Sequence, residues 1–302
     1  MKIKSFVLVL LALLVITAYA PAQNYQQTPG EPEVDLSFYT PPADTAPLPL
    51  SPSTQVKNVI LLIGDGMGIA HVEAASLKAT GVSGRLDMER MPVTGLSNTN
   101  STSNIVTDSA AGGTALSTGF RTNNYMIARD PDGKNLKTLA EAAREAGMSA
   151  GLAVTCGVTH ATPASFSAHV ENRKMEDVIA EQMVNNRIDV ILGGGKEYFI
   201  PSTETGSKRK DEKNILNTAR DLGYNIIETR EDLIKAEKLP LLGIFSISAL
   251  KTEAPEPTLA EMTDRAITLL SKNEKGFFLM VEGSQIYNQV IFFIMQNLVN
   301  HM

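Results

Sequence analysis

The sequence predicts an α/β fold in which helices cover a mainly parallel sheet. Three observations point there. Short apolar runs at 59–63, 189–192 and 277–281 are near-continuous rather than alternating, as expected of strands buried on both faces. Stretches with apolar residues at helical spacing lie between them. Glycines such as Gly64, Gly147 and Gly276 punctuate the two kinds of segment. Repeated strand–helix alternation builds a layered sheet, and function in such sheets gathers at the carboxyl ends of strands.

The elements follow in order. Lys2 and Lys4 precede an apolar stretch over 6–16, and Ala18-Tyr19-Ala20 fits the small-x-small cleavage pattern. Residues 1–20 therefore read as a signal peptide, and its apolar core is short of the roughly 20 residues a membrane span needs. The expectation is an exported protein, periplasmic or secreted, with no transmembrane span in the mature chain. Residues 21–55, with Pro41-Pro42, Pro47, Pro49 and Pro52, read as a Pro-rich linker. From residue 56 the texture changes to that of a folded α/β domain. In it, the strand at 59–63 leads to a helix over 69–78. A helix over 136–146 has Asn135 as N-cap and Gly147 as its stop. Strand 149–154 follows, then helix 175–186, strand 189–192 and a glycine turn at 193–195. A helix over 213–222 leads to strand 224–227. Thr258-Leu259-Ala260-Glu261 is a capping box opening a helix with Leu259, Met262, Ala266, Leu269 and Leu270 on one side. Residues 202–214 are charged and irregular, and read as a solvated loop or part of an inserted subdomain. From Gly283 to Met302 there is no Asp, Glu, Lys or Arg, so 287–302 reads as an aberrant apolar tail.

Composition narrows the function. The 302 residues are 43% hydrophobic and 20% charged, which excludes a coiled coil, a collagen-like chain and a wholly disordered chain. The net charge of -6, which becomes -8 when the two leader lysines are removed, argues against a nucleic-acid-binding surface. Metals and small substrates remain. Cys156 is the single cysteine, so no internal disulfide forms, and its apolar neighbours suggest a buried, inert thiol.

Four segments carry candidate chemistry. Gly64-Asp65-Gly66-Met67-Gly68 follows the first strand, so Asp65 stands at a carboxyl end where it can hold a cation or merely cap a turn. In Val106-Thr107-Asp108-Ser109-Ala110-Ala111-Gly112-Gly113-Thr114, Ser109 stands before a helix over 110–117. A helix N-terminus suits a phosphoryl group, although Asp108 or Ser109 acting only as an N-cap is the commoner role. In Thr159-His160-Ala161-Thr162-Pro163-Ala164, an extended segment would project His160 and Thr162 the same way, and Arg173 downstream could clamp phosphate bidentately. Glu282 follows the last apolar strand as Asp65 follows the first, so the two carboxylates could share a cation. His71 and His169 read as structural histidines.

In this order, the segments resemble the alkaline phosphatase family over roughly 56–286. The 106–114 segment is similar to that family's nucleophile signature along its whole length, and Asp65-Gly66-Met67-Gly68, His160-Ala161-Thr162-Pro163-Ala164 and Val281-Glu282-Gly283-Ser284 are also family-like. The resemblance implies a three-layer α/β/α sandwich, here incomplete at the C-terminus. It implies a phosphomonoester hydrolase using Zn2+ and Mg2+, with Ser109 forming a phosphoseryl intermediate and Arg173 holding phosphate oxygens. By the same resemblance Asp65 bridges a zinc and the magnesium, and Thr162 and Glu282 are magnesium ligands. Members carry Asp or His at the position of His160; with His, a hydrogen bond to metal-bound water is expected in place of direct ligation. A homodimer is left open.

The sequence departs from the pattern beyond Glu282. Where the family supplies an Asp and a His as zinc ligands, this chain has Tyr287 and Ile291. The remaining zinc ligands, an Asp-His pair and a further His, have no counterpart. The expectation is an interrupted chain with impaired two-zinc catalysis. The alternatives are a non-catalytic phosphate- or metal-binding protein of the same fold and a sulfatase or mutase relative, against which the Ser109 segment argues.

Overall fold

The computed structural model of the protein describes residues 56–80, 85–91, 93–251 and 253–286. The expected signal peptide, Pro-rich linker and apolar tail lie outside the described residues.

The near-continuous apolar runs become strands that pair in parallel. These are β1 (Asn58–Gly64), β2 (Ser149–Gly157), β3 (Val190–Gly194), β4 (Asn225–Ile227), β5 (Leu241–Ile244) and β6 (Phe277–Gly283). Their order is β1-β6-β2-β3-β5-β4, and every pairing is parallel. The helices are α1 (Ile69–Thr80), α2 (Ser109–Thr118), α3 (Leu139–Glu145), α4 (Ala161–Ser167), α5 (Glu176–Asn185), α6 (Ile215–Asp221), α7 (Arg230–Lys235) and α8 (Leu259–Leu270).

Side chains alternate faces along a strand, so each inner strand feeds two cores. Leu152, Val154, Phe278 and Met280 pack on one side with Ala140 of α3, Phe166 of α4, Ile179 and Met183 of α5 and Ile215 of α6. The Phe166 and Phe278 rings stack there, 5.8 Å apart. Ala153, Val190, Leu279 and Val281 pack on the other side with Leu233 of α7 and Met262, Ala266 and Leu269 of α8. Helices thus cover both faces of the sheet, giving the α/β/α layering.

Several local expectations change. β1 is an edge strand among the described residues, and it is not buried on both faces: Val59, Ile60 and Leu62 are 44%, 42% and 60% exposed. Its apolarity reads like that of a central strand, but it pairs on one side with β6, and α1 beside it in sequence contributes no buried residue. The helix expected from 136 starts at Leu139. Thr138 is its N-cap, in a reciprocal capping box with Glu141, while Asn135 pairs with Arg129 in an isolated bridge. The segment after β2 is not extended. His160 is the N-cap of α4, Thr162 lies in its first turn, and Pro163 is tolerated there because first-turn amides have no intrahelical acceptor. The 202–214 loop is not simply solvated. Arg209 is buried and ties it down, donating to the carbonyls of Asp177 and Tyr198 and to the Asp211 carboxylate. α7 and β5, six and four residues long, are additions to the elements expected from the sequence.

The order of the sheet positions the site. β6 lies between β1 and β2, so Ile63 and Val154 both register with Glu282. The carboxyl ends of the first and last described strands therefore meet, and the Asp65 amide donates to the Gly283 carbonyl at 3.1 Å.

Candidate active site and metal centre

Asp65 leaves β1 on a turn with Gly66 at φ 76°, a left-handed conformation that glycine adopts without a steric cost. Its half-buried carboxylate faces α2. Ser109 opens that helix, and its Oγ donates to Asp65 Oδ2 at 3.0 Å. The residue before it, Asp108, is the N-cap, with Oδ1 accepting from the Ala111 amide at 3.0 Å. The commoner role therefore falls to Asp108, which leaves the Ser109 hydroxyl free to face the carboxylate.

Two further groups hold this corner. Asn124 accepts from the Asp108 amide and donates to the Val106 carbonyl. Tyr125, at φ 74°, donates its amide to Asp108 Oδ2, and its carbonyl accepts from the Arg173 amide at 2.8 Å. A left-handed Tyr is uncommon, and here it lets one residue's two backbone groups serve both Asp108 and Arg173. Nothing in the local sequence around Asn124 and Tyr125 signals this.

Arg173 reaches the same corner. Nη1 donates to Asp108 Oδ2 at 3.2 Å, and Nη2 lies 3.1 Å from His160 Nε2. A guanidinium offers donors alone, so Nε2 is the acceptor and the ring proton resides on Nδ1. That Nδ1 is buried without a partner. Burial and the adjacent Arg173 charge push the His160 pKa down, keeping the ring neutral.

Behind this corner α2 packs against α4. A Cβ on Gly113 would sit 2.8 Å from Ser165 Oγ, so the glycine is what allows the close approach. Ser165 in turn donates to the Ala110 carbonyl and to Ala161 on its own helix. Thr162, also on α4, is buried at 4% exposure.

Glu282 is completely buried within β6, one residue before the strand ends, and so does not follow the strand as expected. Burial pushes its pKa up, and the nearby Asp65 charge adds to this; Ser284 and Thr162 oppose it. Ser284 Oγ donates to Oε2 at 2.7 Å, and the Cys156 thiol approaches the same oxygen at 3.6 Å. Oε1 is buried and has no hydrogen-bond partner; Thr162 acts on the carboxylate from outside hydrogen-bonding geometry. Burial, with Glu282 close by, holds the Cys156 thiol well above its ordinary pKa, which suits an inert, protonated group. His71 accepts from the Gly68 amide, and His169 bridges the Ala128 carbonyl and Glu141, so both act as structural groups.

The donor set tests the metals. Asp65, Thr162 and Glu282 offer oxygens from β1, α4 and β6, and the bare Oε1 asks for a positive partner. Hard oxygen donors with two carboxylates fit magnesium, which keeps several waters as further ligands. Zinc calls for three or four protein ligands, commonly His, Cys or carboxylate. Among the described residues no group of three or more His, Cys, Asp and Glu is placed to hold a metal ion, so the zinc part does not fit.

Comparison with known proteins decides the lineage. The family model for alkaline phosphatase matches residues 56–290. The chain belongs to the alkaline phosphatase family. It is 40% identical to alkaline phosphatase 4 of Bacillus subtilis (strain 168), over 77% of this chain and 52% of the relative. It is 35% identical to alkaline phosphatase of Escherichia coli (strain K12), over 77% of this chain and 61% of the relative. The chain thus spans about half to three-fifths of the length of these curated alkaline phosphatases. Among solved structures, alkaline phosphatase from the Antarctic bacterium TAB5 superposes with a TM-score of 0.70 at 34% identity, over 77% of this chain and 66% of that one. A TAB5 variant with a histidine replaced by aspartate is described with Mg bound in its M3 site.

Proposed function

We propose that this chain carries the nucleophile, phosphate clamp and magnesium side of a phosphomonoester hydrolase acting through a phosphoserine. The observation that carries the reading is the Ser109 hydroxyl at the N-terminus of α2, donating to Asp65 Oδ2 at 3.0 Å. Attack by Oγ on phosphorus forms the Oγ–P bond as the ester P–O bond breaks. The hydroxyl proton already has an acceptor in Asp65, and the leaving alkoxide takes a proton from water. Arg173 and the α2 amides face the negative charge on the phosphoryl oxygens. Water then hydrolyses the phosphoserine and releases inorganic phosphate. Asp65, Thr162 and Glu282 are the residues that would hold magnesium, whose charge would offset that of the two carboxylates. His160 holds Arg173 through Nε2 and is left as a group near the ion, not a direct ligand.

Turnover by this chain is proposed to be weak or absent. The test is p-nitrophenol release from p-nitrophenyl phosphate with magnesium and zinc present, by wild type and Ser109→Ala. Robust turnover abolished by the substitution would overturn the impairment; turnover unaffected by it would overturn the nucleophile. A second reading is a phosphate- and metal-binding protein of the same fold, which needs only the Arg173 clamp and the bare Glu282 Oε1. Calorimetric binding of phosphate and magnesium without turnover is its expected signature. Export to the periplasm or medium, a phosphate monoester as substrate and homodimer formation complete the proposal; fractionation and light scattering check the first and last.

A further inference from the structure

The two oxygens of Glu282 are treated unequally. Oε2 receives Ser284 Oγ at 2.7 Å and Cys156 Sγ at 3.6 Å, while Oε1 receives nothing, although the residue is fully buried. A buried carboxylate oxygen without a partner is costly, and two donors on its twin make rotation about the carboxyl bond unprofitable. The donors come from separate segments. Cys156 lies on β2, two residues beyond the Val154 that registers with Glu282. Ser284 follows β6 and is itself fixed, its amide donating to Thr155 Oγ1 at 2.9 Å. Both groups spend their hydrogens on Oε2, so their contact here is with the carboxylate. Both line a cavity of about 290 Å³ that also reaches His160.

We propose that Ser284 and Cys156 are positioning residues for the cation: by occupying Oε2 they fix the Glu282 rotamer and dedicate Oε1 to the ion. This rests on the reading of Glu282 as a magnesium ligand. Partners that orient a ligand from behind commonly set metal affinity by about 10- to 100-fold. Ser284 is the stronger donor and carries more of the effect, because a thiol is a weak one.

The test is magnesium chloride titration into the full chain by calorimetry, with thermal unfolding in the absence of metal as a second readout. Ser284→Ala should weaken magnesium binding about tenfold, and Cys156→Ala by less. Cys156→Ser and Ser284→Thr, which keep a donor, should bind like wild type. A merely structural role would lower the metal-free unfolding temperature of the alanine variants and leave magnesium affinity unmoved, and that result overturns the inference. Glu282→Gln separates the two claims. If wild type binds, Glu282→Gln abolishes binding and the alanine variants stay within twofold of wild type, the positioning role falls while the ligand reading stands. If wild type does not bind, or Glu282→Gln binds like wild type, the ligand reading falls and takes the inference with it. Should Ser284→Ala fail to fold, Cys156→Ala against Cys156→Ser makes the same comparison.

Discussion

Arg173 Nη1 donates to Asp108 Oδ2 at 3.2 Å while Asp108 Oδ1 caps the helix that begins with Ser109. One carboxylate therefore couples the proposed phosphate clamp to the proposed nucleophile. Both side chains are about one-fifth exposed, so the pair is only partly screened. The two oxygens separate the two jobs. Asp108→Asn keeps the N-cap acceptor at Oδ1 but removes the charge that holds Arg173 and the acceptor of the exposed Tyr125 amide, whereas Asp108→Ala removes all three. Asp108→Ala should cost about 1 kcal/mol of stability, within the range for losing an N-cap. Asp108→Asn should unfold near the wild-type midpoint, yet both variants should alter phosphate affinity by calorimetry. Denaturant midpoints that fall equally for the two variants would show that the charge, not the cap, stabilises this corner.

Gly113 sets the distance between α2 and α4. An added methyl would meet Ser165 Oγ at 2.8 Å and its Cβ at 3.1 Å, and Ser165 is tied to Ala110 and Ala161 by hydrogen bonds. Gly113→Ala should destabilise the fold by about 1–3 kcal/mol, the usual cost of overpacking. It should also shift Ser109 relative to Thr162, since each opens one of the two helices. Gly112→Ala is the control, because its Cβ meets Thr107 at 3.6 Å, an ordinary contact. Equal denaturant midpoints for the two variants would remove this account.

How much of this was legible in the sequence depends on whether a residue acts locally. The capping box at Thr258 gave the start of α8, and its spacing gave Met262, Ala266, Leu269 and Leu270 as the buried side. Asp65, Ser109, Thr162 and Glu282 can be singled out as candidates because each sits beside a strand end or helix start whose pattern is written in neighbouring residues. The exposure of β1 was not legible, because composition records that a run is apolar and not which strands flank it. Nor were Tyr125, Asn124 and Ser284. Their contacts with Asp108 and Thr155 join segments 16 to 129 residues apart, through backbone conformation and β6 inserting between β1 and β2. Thr138 is a different case: its capping box with Glu141 is present in the sequence, but apolar residues at helical spacing run back to Leu136 and so point to Asn135 as the cap.

His169 and Glu141 give a pH signature remote from Ser109. His169 Nε2 lies 2.8 Å from Glu141 Oε1, and Nδ1 is equally close to the Ala128 carbonyl. Burial pulls the His169 pKa down, but these two hydrogen bonds and the Glu141 charge outweigh it, so the pKa is raised. Burial pushes Glu141 up, but His169 and the Thr138 cap outweigh that, so its pKa is lowered. The histidine's contribution is complete below its ordinary value of 6.5 and fades as pH rises through the raised folded value. The glutamate's is complete above its ordinary value of 4.5 and fades as pH falls through the lowered one. The pair therefore stabilises most between about pH 4.5 and 6.5. Glu141 is about one-third exposed, so screening limits the charge effect to roughly 1 kcal/mol or less. Denaturant unfolding of His169→Gln against wild type should show the widest gap near pH 5.5 and a narrower one at pH 8. A gap that widens toward pH 8 would reverse the assignment.

The apolar edge of β1 should be adhesive. Asn58–Gly64 contains no charged residue and no proline, the devices that usually protect a strand edge from pairing with another chain. Ile60 and Leu62, which share one face of the strand, are 42% and 60% exposed, and Val59 on the other face is 44% exposed, so apolar side chains flank the unpaired edge on both sides. Introducing a charge there removes little native packing but opposes edge-to-edge association. Leu62→Lys should change unfolding free energy by about 0.5 kcal/mol or less, as exposed substitutions do, while lowering concentration-dependent light scattering. Substituting another exposed apolar residue away from the edge, Ile234→Lys on α7, should leave scattering unchanged. If the two variants scatter alike, self-association does not run through β1; if Leu62→Lys unfolds far more easily than wild type, the leucine is buried in solution and the exposed edge is not the state of the folded chain.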